Sequence, residues 1–177
     1  MCLRLIKLCS EMLMRLLNIH AILPDLRYNI VEGTLVGQID KLSVNAQAGS
    51  GGRAGTKSKG ALNHWLANNP FATAVKLNDK TPGGPLPIGY YRLALHEKRR
   101  NWIRLLPFSS NQMFGRAGFA IHGRGPRGSD GCIVPTDFTV VTSICAALQK
   151  RVDAGGRNPV LQVYATGDLS QWETMTA

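Results

Sequence analysis

Two side chains in this 177-residue chain are spaced for covalent chemistry. His122 and Cys132 bracket a glycine-rich loop within Phe119-Ala120-Ile121-His122-Gly123-Arg124-Gly125-Pro126-Arg127-Gly128-Ser129-Asp130-Gly131-Cys132-Ile133-Val134. A cysteine attacks as its thiolate, and at a free pKa of about 8.5 it needs a base or a positive environment beside it. His122 supplies the base if the loop folds back and sets its two ends side by side. Arg124, Arg127 and the start of a following helix add positive potential. Gly131 lets the backbone near the sulfur approach a substrate closely, and the Gly131 and Cys132 N–H groups then suit a developing oxyanion. The competing reading is a His and a Cys buried in an ordinary hairpin loop. Glycine, polar Ser129 and Asp130, and the basic loop distinguish Cys132 from Cys145, which sits in an apolar stripe of helical period and reads as a core thiol.

The elements that must position this loop are short. Residues 28–36 and 37–44 read as a strand hairpin, and 49–60 as a basic Gly/Ser-rich loop. A short helix is expected over 61–67, ending at Asn68-Asn69-Pro70. Pro85-Leu86-Pro87 is a turn that leads into a strand through Leu95, and 102–106 completes a second hairpin. Residues 118–123 and 132–134 are short apolar strands. Thr136 or Asp137 caps a helix running to about Val152, closed by Gly155-Gly156, and 159–165 alternates like a last strand. Residues 1–23 form an amphipathic helix stopped by Pro24, so an N-terminal extension over 1–27 precedes one domain over 28–166 and a frayed tail over 167–177. The fold class is mainly β (α+β).

Composition narrows the partners. The formal charge is +10, 44% of residues are hydrophobic, and 19 Gly with 9 Pro favour a turn-rich fold over a helix bundle. No apolar run approaches the roughly 18 residues a transmembrane helix needs, and charges at Glu11 and Arg15 interrupt any secretory signal. Four cysteines without a CxxC pair, and four histidines without metal spacing, make no structural zinc site. The 49–60 loop lacks the order of a nucleotide phosphate loop. The charge admits a basic nucleic-acid-binding module, but no recognised nucleic-acid motif or aromatic interleaving accompanies it.

His122-Gly123 followed by Ser129-Asp130-Gly131-Cys132-Ile133 resembles the active-site signature of the YkuD-type L,D-transpeptidases, most closely the compact variant of type VI secretion effectors. Pro85 to Leu93 is similar to that family's proline-rich strand, and Ser50-Gly51 with Asn68-Asn69-Pro70 echoes a further element. The likeness covers about residues 28–165. It implies a YkuD-like β-sandwich with one helix after the catalytic Cys. It also implies Cys132 as nucleophile, His122 as general base, the Gly123 carbonyl as the group orienting His122, and Ser129 as a loop tether. Asp130 stands where housekeeping members carry a second His, and it opposes thiolate formation unless turned away, towards Arg124 or Arg127.

The implied substrate is the peptidoglycan tetrapeptide stem, cut between the L-centre of meso-diaminopimelate and D-Ala, with Arg124 and Arg127 binding its carboxylates. No metal or cofactor is implied. Delivery by a type VI apparatus into a neighbouring cell's periplasm, and a cognate immunity protein, follow from the same resemblance. A Cys–His amidase of another specificity is the alternative enzyme.

Overall fold

The computed structural model describes residues 23–53, 62–78, 81–123 and 128–173. The expected helix over 1–23 lies, but for Leu23, outside them, as do Arg124 and Arg127. Eight strands run in the order β1 (Leu26–Asn29), β2 (Thr34–Ile39), β3 (Leu42–Ser50), β4 (Gly89–Leu95), β5 (Trp102–Pro107), β6 (Ala120–His122), β7 (Ile133–Pro135) and β8 (Val160–Tyr164). Helix α1 (Phe138–Asp153) follows β7 and a short α2 (Ser170–Glu173) follows β8.

The fold is mainly β, but the strands close on themselves in the order β1-β2-β3-β7-β6-β5-β4-β8 and form a barrel, not the two separate sheets of a sandwich. Two parallel contacts make the closure. Leu26 pairs with Leu161 where β1 meets β8, and Ile121 pairs with Ile133 where β6 meets β7. All other neighbours are antiparallel.

Alternation along the strands builds the core. Tyr91 and Leu93 of β4, Ile103 and Leu105 of β5, Ile121, Ile133, Leu161 and Val163 all point into one buried cluster. Fully burying each such side chain contributes about 1.5–3 kcal/mol. Helix α1 adds Val141, Ile144 and Leu148 to that cluster and packs against β2 through β7. Asp137 caps its start by accepting from the Thr139 N–H at 2.8 Å, and Gly155 follows its end at φ +67°.

Some local expectations fail for identifiable reasons. The first hairpin turns at Asp40, in the left-handed region at φ 52°, and a separate turn over Ile30–Gly33 splits the expected first strand. The described part of the expected 61–67 helix is a sequence of turns, with a 3-10 turn at Pro70–Ala72 capped by the Asn69 side chain. The tail is not wholly frayed, because α2 buries Trp172 to 4% exposure.

Candidate active site

Cys132 and His122 are brought to neighbouring strands by the parallel β6–β7 pair. Ile121 and Ile133 face each other in register and are fully buried. Side chains alternate across a strand, so His122, one residue after Ile121, and Cys132, one residue before Ile133, fall on the opposite face. Cys132 is therefore level with Ala120, and the Ala120 backbone hydrogen-bonds its sulfur. Both Cys132 and His122 are half-buried, and neither is sealed from solvent.

The imidazole is held by an aromatic neighbour. Trp102 is the register partner of His122 across β5–β6, and their rings stack at 4.0 Å with only 5° between planes. The Arg99 guanidinium covers the Trp102 ring at 4.6 Å. Gly123, expected to orient the imidazole through its carbonyl, is hemmed in by Phe138: a Cβ there would lie 2.1 Å from the ring. Trp102 is therefore one contact that fixes the plane of the imidazole. Tyr91 and Phe119 are core side chains.

The loop ahead of Cys132 is tied at every residue from 129 to 131. The Ser129 hydroxyl donates to the Cys132 carbonyl at 2.5 Å and accepts the N–H groups of Gly51 at 3.2 Å and Gly131 at 3.3 Å. That engages the Gly131 N–H, one of the two donors expected for an oxyanion. Asp130 turns to Arg53 at 3.0 Å and accepts from the Gly83 N–H, while Arg124 and Arg127, the partners expected for it, lie outside the described residues. Ser50 donates to the Gly131 carbonyl at 3.0 Å and accepts from the Leu86 N–H at 2.9 Å. Asn68 in turn accepts from the Ser50 N–H at 2.7 Å.

Beneath the loop lies Arg116, which sequence reasoning missed. Its guanidinium donates to the carbonyls of Thr73, Gly84, Pro85 and Asp130 while stacking on Phe119. One buried cation thereby staples three loops together. Nothing in Phe114-Gly115-Arg116-Ala117-Gly118 distinguishes this arginine from a surface one in sequence, because its partners are main-chain atoms far along the chain.

The electrostatics run against one expectation. Burial, reinforced by the Asp130 carboxylate, pushes the Cys132 thiol up to about 11, while the Ala120 backbone, Arg116 and Arg99 pull it down less strongly. The positive surroundings do not outweigh desolvation, so the resting group is a neutral thiol. Attack by such a thiol requires a base to take its proton as the sulfur engages.

Among the described residues, no group of three or more His, Cys, Asp and Glu side chains could hold a metal ion. No family model, curated protein or solved structure matches the chain.

Proposed function

We propose that this protein is a cysteine-dependent L,D-carboxypeptidase and L,D-transpeptidase acting on peptidoglycan tetrapeptide stems. The observation that carries the reading is the convergence of three distant segments, through Ser50, on the loop ahead of Cys132. Ser50 donates to the loop that carries Cys132, Asn68 and Leu86 hold Ser50 in turn, and these three residues lie in the segments that resemble elements of the L,D-transpeptidase family. A Cys and a His that met by chance in a hairpin would not need this framework.

In the mechanism, the Cys132 thiol gives its proton to His122 as the sulfur attacks the carbonyl between meso-diaminopimelate and D-Ala. The Cys132 N–H stabilises the resulting oxyanion. His122 returns the proton to the leaving amine, D-Ala departs, and a thioester remains on Cys132. Water attacking the thioester yields a tripeptide; a D-amino acid amine yields exchange. Ser129 keeps the loop in shape, and no metal or cofactor takes part. By the same resemblance the protein is a type VI effector acting in a target cell's periplasm, with a cognate immunity protein in the producer.

Incubation with purified muropeptides tests the reading. Tetrapeptide stems should become tripeptides with release of D-Ala, and Cys132→Ala should abolish the conversion. Full activity in Cys132→Ala would refute the nucleophile assignment.

A further inference from the structure

The turn between β4 and β5 places two guanidinium groups at the rim of the site. Arg99 and Arg100 are exposed there, next to Asn101, which takes the left-handed conformation at φ 55° and reverses the chain into Trp102. A cleft of about 660 Å³ is lined by Arg99, Arg100, Asn101, Trp102, Gly123 and Phe138. Its walls combine two cations, an amide and two aromatic rings, and among the described residues no carboxylate lines it.

Geometry connects this cleft to the thiol. The Arg99 guanidinium covers the Trp102 ring at 4.6 Å and His122 stacks on the same indole at 4.0 Å, so one side chain contacts both the cation of the cleft and the imidazole. Arg99 is also among the charges that favour the Cys132 thiolate, which puts its field at the sulfur. An anionic group bound at the turn would therefore lie on the approach to the reacting atoms.

We propose that Arg99 and Arg100 form the carboxylate-recognition site for the acyl substrate, with the cleft over Trp102, Gly123 and Phe138 receiving the carboxylate-bearing arm of the peptide. This rests on the reading of Cys132 as an acyl-transfer nucleophile on an anionic stem peptide. A guanidinium pre-oriented on an indole face loses little rotamer freedom when it closes on a carboxylate, and its fork of donors suits two oxygens at once. Stacking on the same indole makes Trp102 a positioning residue for His122. Substrate charge and base geometry thus meet on one side chain.

The test compares a tetrapeptide stem carrying free carboxylates with the same peptide amidated at the diaminopimelate side-chain carboxyl. Binding is measured by calorimetry on Cys132→Ala protein, and turnover is measured on the protein with Cys132 intact. Arg99→Gln and Arg100→Gln together should weaken binding of the acidic peptide and raise its KM by about tenfold or more. They should leave the already weaker binding of the amidated peptide unchanged. Equal loss on both peptides, no loss on either, or no binding by the acidic peptide overturns the proposal. Turnover separates it from the reading beneath it. Charge-dependent binding without tripeptide formation keeps the recognition site and discards the acyl-transfer reading; tripeptide formation indifferent to both arginines does the reverse.

Discussion

Ile121 lies opposite Ile133 in the parallel β6–β7 pair, and this single pairing sets Cys132 level with Ala120, one pleat behind His122 on the same face. A slip of one residue would turn one of the two chemical side chains into the core. The full burial of both isoleucines is what holds the register, because the alternative would expose them.

The thiol should titrate high. Peptide-resolved alkylation of Cys132 by iodoacetamide should rise with an apparent pKa near 11. Asp130→Asn removes a carboxylate that favours the thiol form, so the apparent pKa should fall while staying above that of an ordinary cysteine, burial being the larger cause. An unchanged or raised value in Asp130→Asn would contradict the electrostatic account.

Stability should respond to the same group. The folded-state pKa lies above the ordinary value of 9.0, so the Cys132 contribution is fully present below about pH 9 and is lost as pH climbs towards 11. Relative to Cys132→Ser, which carries no ionising thiol, the parent should lose about 2–3 kcal/mol across that window. Urea midpoints measured at pH 8, 9, 10 and 11 check this, and parallel curves for the two proteins would exclude it.

Arg116→Met should unfold the site before it affects chemistry. Carbonyls of Thr73, Gly84, Pro85 and Asp130 all lose their charged donor together, at a cost of at least about 3 kcal/mol. Denaturation by urea gives the loss directly; a change below about 1 kcal/mol would mean that the staple is dispensable.

Gly123→Ala should destabilise through one contact. Its new methyl meets the Phe138 ring, which is half-exposed, so the conflict costs about 1–3 kcal/mol and is relieved when Phe138→Ala is added. A double-mutant cycle with no coupling between the two positions would show that the glycine is needed for another reason.

The β4–β5 hairpin and α1 were legible in the sequence because their signals are local: a proline-rich lead-in, period-two alternation, an Asp137 cap and a closing glycine. The pairing of His122 with Cys132 followed from residue types around a glycine-rich loop, and the structure sets both on one face. Barrel closure was not legible, since β1 meets β8 across the length of the domain and neither strand carries a mark of its partner. Nor was the first hairpin, where apolar Ile30 and Val31 hide a turn inside what reads as one strand. Asp130 found Arg53, a partner outside its own loop, and Arg116 bonds to carbonyls that no residue type announces.

Closing the sheet into a ring also has a bearing on self-association. Each strand has a neighbour on both sides, so among the described residues the ring leaves only a partial edge for another copy to extend, along Leu42–Ala46 of β3, which pairs with β2 alone. Fibril-like growth beyond that edge would first have to part a seam. The β6–β7 contact, a single pair between Ile121 and Ile133, is the shortest join in the ring and the place where such an opening would begin.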